Sequence, residues 1–266
     1  MNAHTLADDL ELAHRLADAA DKVSAERFRA GDLVVSTKPD MTPVSDADRA
    51  AEEAIRALLA AERPEDSILG EEFGAAGHSS RQWIIDPIDG TANYVRGVPV
   101  WATLIALAID GVPVLGVVSA PALNRRWWAA TGGGAWIRDT ETGPSGARRL
   151  HVSRVAELAD ASLSYNSIQH WDMHGRLDEL IALSRKVWRT RAYGDMWSYM
   201  MVAEGLIDIA GEFDLQPYDM AALVPIIEEA GGTFTSADGE AGPWHGSALA
   251  TNGLLHDAVL EVIARR

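Results

Sequence analysis

Cysteine is absent from the 266-residue chain. That single lack excludes disulfides, thiolate metal ligands and a cysteine nucleophile, and it is compatible with a reducing compartment. Basic residues are scarce: 23 lysines and arginines stand against 39 aspartates and glutamates, a formal net charge of −16. Such a deficit disfavours non-specific binding to nucleic acid or to an acidic membrane, so neither is expected as a partner. A phosphorylated small molecule stays open, because bound divalent cations reverse the sign of a local site. Long apolar runs are missing as well. "VPVWATLIALAI" is halted by Asp110 and Gly111 and is too short to span a bilayer. The first residues lack the basic start and apolar stretch of a signal peptide. A soluble, cytoplasmic protein is the expectation.

What is present is an alternation of helical and strand patterns, without repeats or low-complexity tracts. Leu6, Leu10, Ala13, Ala17 and Ala20 have the spacing of an amphipathic helix. A second helix is predicted from near Ser45, with Ser45 and Asp48 spaced as a capping box. Two short apolar strands, "SIL" and "QWII", each run into acid, at Glu71-Glu72 and at Asp86. Strands fill the middle from Trp101 to about Ile137, and the polar stretch "RDTETGPSGARR" marks a division of the chain. Beyond it, strands near 161–165, 187–190, 206–210 and 248–251 are expected to alternate with helices near 172–184, 195–204 and 219–230. The pattern is that of a layered α/β or α+β protein.

The chemistry lies in "DPIDGT", residues 86–91. Proline fixes φ, so Asp86 and Asp89 flank a stiff turn. Two carboxylates held together repel, and a shared hard cation is an obvious remedy. Oxygen ligands without cysteine point to Mg²⁺ and away from zinc. Gly90-Thr91 can open a helix whose free N–H groups cradle an anion. An isolated D-P-x-D reads best as a polar turn; the acid-tipped strand "ILGEEF" upstream and Asp219 in "QPYDMAAL" weigh for the cation.

"GEE", "WIIDPIDGT-N" and "YDMAAL", in this order and spacing, resemble the inositol monophosphatase family of Mg²⁺-dependent, lithium-sensitive phosphatases over essentially the whole chain. The resemblance implies an α+β fold, a layered αβαβα sandwich of the inositol monophosphatase/fructose-1,6-bisphosphatase type, usually dimeric, so a homodimer is expected. Residues 1–145 would carry most metal ligands, and residues 146–266 Asp219 and the substrate pocket. Carried over by position, Glu71 and Asp86 would bind one ion with the Ile88 carbonyl. Asp86, Asp89 and Asp219 would share a second, and a weaker third would sit near Glu71, close to a loop bearing Lys38. Two to three Mg²⁺ per site are thus implied, with Mn²⁺ as a substitute. Asp46 is matched to the partner of Thr91, the pair that orients the attacking water, so Asp46, Thr91 and Glu71 are the expected catalytic residues. Gly90 and Thr91 would give N–H groups to the phosphate.

Arg191, Gly194, Asp195 and Glu212 are expected on the alcohol side of the phosphate ester. Asp195 stands where the family commonly has a small or hydroxyl residue, and it can also be read as the cap of a helix over 196–204. Two acids there suit a cation better than a neutral polyol. "RQWIIDPIDGT", "VRGVPVWATLIAL", "VSAPALNRRWWAA" and "RAYGD" are most similar to the inositol-monophosphatase-like histidinol-phosphate phosphatases of actinobacteria. The implied reaction is hydrolysis of L-histidinol phosphate to L-histidinol and phosphate, in histidine biosynthesis. Inositol 1-phosphate is the alternative ester. A sugar bisphosphate ranks below both, because a second phosphate needs a basic cluster and only Arg189 and Arg191 suggest one.

Overall fold

A computed structural model describes residues 4–39, 42–143 and 146–264. Helices Leu6–Arg27 and Asp46–Glu62 form the first layer. Both begin with a capping box, Thr5 with Asp8 and Ser45 with Asp48. Their apolar stripes, Leu12, Leu16 and Ile55 among them, pack on Trp83, Ile85, Ile105, Leu107 and Val117 of an eight-stranded sheet. The alternate residues of the same strands, such as Ile84, Leu104 and Val118, face the other way. There they bury against helices Asp195–Ala203 and Leu223–Glu229, which form the central layer.

A second sheet of five strands covers the far side of those helices and is closed by helices Leu177–Ser184 and His256–Ile263. Three stacked cores between five layers give the αβαβα sandwich that the family resemblance implies. The first sheet takes its outermost strand from Arg148–Arg149, just past the division expected at 145/146, and residues 144 and 145 lie outside the described residues. The central helices share one continuous core with both sheets, so the two halves are not independently packed. No helix among the described residues is long and apolar enough to cross a membrane.

Three predicted elements are displaced. The strand expected at 206–210 runs Ile209–Phe213. Gly205, at φ 70°, ends the preceding helix, and the strand continues through Glu212 because that acid has buried partners. The helix expected over 172–184 is split into Ile168–Met173 and Leu177–Ser184 by Gly175 at φ 66°. The one expected over 219–230 is split into Pro217–Met220 and Leu223–Glu229.

Candidate active site

Strand Arg81–Asp89 delivers two of the acids. In a regular strand, residues three apart point to opposite faces. Here Asp86 pairs with Leu104 and Asp89 with Ala102, three residues on one strand against two on its neighbour. This bulge returns Asp89 to the face of Asp86, the face shared by Leu104 and Ala102 and turned toward the central helices. The Asp86 side chain stabilises the bulge by accepting from the Ile88 N–H at 2.9 Å, and Thr103 Oγ1 donates to the Pro87 carbonyl at 2.8 Å.

Asp219 reaches the same place from the central layer. It lies in the short helix Pro217–Met220, where its carboxylate accepts from the Gln216 N–H at 2.7 Å. A Cβ on Gly116 would lie 2.1 Å from the Ala222 carbonyl oxygen, so only a glycine lets this turn approach the sheet so closely. Carboxylate oxygens of Asp86, Asp89 and Asp219 all lie within 4.8 Å of one another.

Glu71, at the end of the neighbouring parallel strand, adds its charge to Asp86. Burial, then Glu71, Asp89 and Asp219, push the Asp86 carboxyl well above the usual range. Burial, then Asp195 and Asp219, do the same to Asp89, and Asp219 is pushed up to about 7, mainly by burial. Lys38 is placed against this group, 2.7 Å from Glu71 and 2.6 Å from Glu72. Buried and half-buried carboxylates that raise one another in this way, all oxygen donors at ligand spacing, fit a hard divalent ion.

The pairing expected for Thr91 is corrected by the structure. Thr91 Oγ1 lies 3.0 Å from Asp48 Oδ1, not against Asp46, and 2.9 Å from the Ile88 carbonyl. Asp46 instead forms an ion pair with Arg27 at 2.7 Å. Both acids lie in the first turn of one helix, and spacing alone does not say which faces Thr91. Asp48 serves twice: Oδ2 caps the helix by accepting from the Ser45 N–H at 2.8 Å, while Oδ1 reaches Thr91. Its carboxyl is pushed up by burial. Gly90, at φ 83°, starts helix Thr91–Val95, whose first N–H groups have no partner within the helix.

Asp195 and Glu212 form the adjoining wall. Asp195 is not a side-chain cap: Gly194 occupies the cap position, and Asp195 adopts φ 48°, rare for a residue with a Cβ. This turn lets the Met196 N–H donate to Asp89 at 2.8 Å, while Asn93 Nδ2 donates to Asp195 at 2.7 Å. Glu212 accepts from Tyr199 Oη at 2.8 Å and from Asn166 Nδ2 at 2.7 Å. Burial raises Asp195 to about 6; burial, reinforced by the Asp195 charge, raises Glu212 to about 8. Arg191 lies on an exposed strand with its guanidinium on the Thr190 carbonyl, and among the described residues it has no hydrogen bond to either acid. Asp48, Asn93, Asn166 and Tyr199 escaped the sequence reading. Asp48 had left a signal there as a helix cap, and Asn93 as the last residue of "WIIDPIDGT-N".

A profile described as the inositol monophosphatase family matches residues 6–265. The chain belongs to this family and is a phosphoric monoester hydrolase. It is 59% identical to the histidinol-phosphatase of Streptomyces coelicolor, over 97% of this chain and 98% of that protein. It is 58% identical to the histidinol-phosphatase of Mycobacterium tuberculosis, over 95% and 96%. Among solved structures, an inositol monophosphatase from Zymomonas mobilis superposes with a TM-score of 0.85 at 33% identity, covering 99% of this chain and 100% of that one.

Proposed function

We propose that this phosphatase hydrolyses L-histidinol phosphate to L-histidinol and inorganic phosphate, a step of histidine biosynthesis, with Mg²⁺ as cofactor. The observation that carries the reading is the half-buried Asp195 with the buried Glu212 beside the metal-ligating acids. Their hydrogen-bond donors are neutral, Asn93 for one and Asn166 with Tyr199 for the other. A leaving alcohol with an ammonium and an imidazole relieves this concentration of negative charge, and a neutral polyol does not. The two histidinol-phosphatases similar over nearly the whole chain support the same ester.

Glu71, Asp86, the Ile88 carbonyl, Asp89 and Asp219 would hold the ions. Bound there, Mg²⁺ acidifies the attacking water and neutralises charge on the phosphoryl oxygens. The chain's own groups supply the rest. Thr91 Oγ1, held by Asp48, takes a hydrogen bond from the water, and Asp48 Oδ1 is the proton acceptor behind it. The N–H groups of Gly90 and Thr91 donate to the phosphate. The alcohol departs on the side of Gly194, Asp195 and Glu212, where the two carboxyls accept its N–H donors. Two to three Mg²⁺ per site, replacement by Mn²⁺, inhibition by lithium and a cytoplasmic homodimer complete the proposal.

Phosphate release by purified protein with Mg²⁺ tests it, comparing kcat/KM for L-histidinol phosphate, inositol 1-phosphate and fructose 1,6-bisphosphate. A clear preference for histidinol phosphate is expected. A preference for inositol 1-phosphate would refute the substrate while leaving the metal site standing.

A further inference from the structure

Asn166 lies outside every motif noted in the sequence, yet its side chain bonds Glu212 directly and holds the Gly194 N–H beside Asp195. It adopts φ 49°, a conformation that asparagine tolerates better than most residues with a Cβ. Oδ1 is fixed by donors: the Ser164 hydroxyl at 3.1 Å, the Gly194 N–H at 3.3 Å and the Ser198 hydroxyl. With the oxygen so occupied, the amide cannot flip, and Nδ2 must face Glu212, to which it donates at 2.7 Å. Tyr199 Oη reaches the same carboxylate oxygen, Oε1. Glu212 Oε2 has no hydrogen bond among the described residues. The Gly194 contact also anchors the turn that sets Asp195 at φ 48°.

We propose that Asn166, with Tyr199, is a positioning residue for substrate selection, holding Glu212 by one oxygen so that the other meets an N–H donor of the leaving alcohol. The inference rests on the reading of Asp195 and Glu212 as the wall that receives a cationic alcohol. The choice of an amide follows from electrostatics. An arginine at this place would orient Glu212 equally well but cancel the negative charge that attracts the ligand, whereas an amide orients without cancelling. The amide thus ties Glu212 to the Gly194 turn that carries Asp195.

The variant of choice is Asn166→Gly, because glycine accepts φ 49° and the change removes the amide without straining the backbone. The readout is selectivity: kcat/KM for L-histidinol phosphate divided by kcat/KM for p-nitrophenyl phosphate, an ester whose leaving group carries no cation. Loss of a hydrogen bond to a charged group is expected to lower this ratio about tenfold or more, chiefly through KM for histidinol phosphate. L-Histidinol should also weaken as a product inhibitor by a similar factor. In a Glu212→Gln background, the same change should lower the ratio by less than about twofold, because its effect passes through Glu212. Tyr199→Phe removes the other donor to Oε1 and should lower the ratio in the same direction, even if Asn166→Gly fails to fold. An unaltered ratio in the foldable variants, or an equal loss with Glu212 already replaced, overturns the proposal. A wild-type enzyme that does not prefer the cationic ester overturns both this proposal and the substrate reading; a wild-type preference that the variants keep overturns this one alone.

Discussion

Removing metal from this protein should make its stability fall as pH rises, the reverse of what a salt-bridged carboxylate gives. Asp195, Asp219 and Glu212 have folded pKa values of about 6, about 7 and about 8 against ordinary values of 3.8, 3.8 and 4.5. Because each folded value lies above the unfolded one, the stabilisation is fully present below about pH 4 and is lost as pH climbs through the folded value. Between about pH 6 and about pH 8 the three groups together account for a loss of about 4 kcal/mol, most of it from Glu212 and Asp219. At roughly 2–4 °C per kcal/mol for a chain of this size, Tm should drop by roughly 8–16 °C. Bound Mg²⁺ reverses the trend, since it favours the charged carboxylates; at about a hundredfold excess over Kd it adds about 2.7 kcal/mol. The gain should be larger at the upper pH, where fewer protons compete. Thermal denaturation followed by circular dichroism, with chelator and with Mg²⁺ at both pH values, measures all four quantities. A metal-free Tm that is flat or rises between those pH values would refute the electrostatic account of the site.

Three further outcomes are expected. Asp89→Asn should lower kcat by roughly 10³-fold or more while raising the Tm of the metal-free protein, because one of several mutually repelling charges is gone; full activity in this variant would exclude Asp89 as a shared ligand. Asp48→Asn should lower kcat by roughly 10²-fold or more, whereas Asp46→Asn should stay within about threefold of wild type, since it loses only a partly exposed ion pair with Arg27; steady-state kinetics of the two variants side by side decides which aspartate serves Thr91. Gly116→Ala, which drives a Cβ against the Ala222 carbonyl, should cost about 1–3 kcal/mol in urea denaturation. It should also weaken Mg²⁺ binding, because Asp219 sits on the segment that is pushed away.

Much of this was legible in the sequence. Strands that end in acid, the capping box at Ser45 and a third acid at a helix start are local patterns, and the fold keeps them. Residue types therefore announced Asp86, Asp89 and Asp219 as a group before any contact was known. Other features depend on which way a side chain turns once the chain is folded. Asp46 and Asp48 are two residues apart in one helical turn, and only the packed structure shows that Asp48 bridges to Thr91. The strand predicted near 206–210 stops short of Glu212, which the folded chain carries inside strand Ile209–Phe213. The sequence could not show that Tyr199 and Asn166 wait to receive it inside the core. Asn166 has no motif at all: its role comes from four contacts that converge only in the folded chain.

The bulge between Asp86 and Asp89 has a consequence for how this stretch can vary. Substitutions at Pro87 or Ile88 change local packing but leave the count of residues intact, so both acids still project to one side. Deleting a single residue there would restore a regular ladder: the acids, then two apart, would still share a face, but the kink held by the Ile88 N–H and the Pro87 carbonyl would be lost, and with it the spacing of the two carboxylates. The reading length between the two acids is thus as much a part of the site as their carboxylates, and a library of single-codon deletions across residues 84–91 should find fewer survivors than any library of replacements at Pro87 and Ile88.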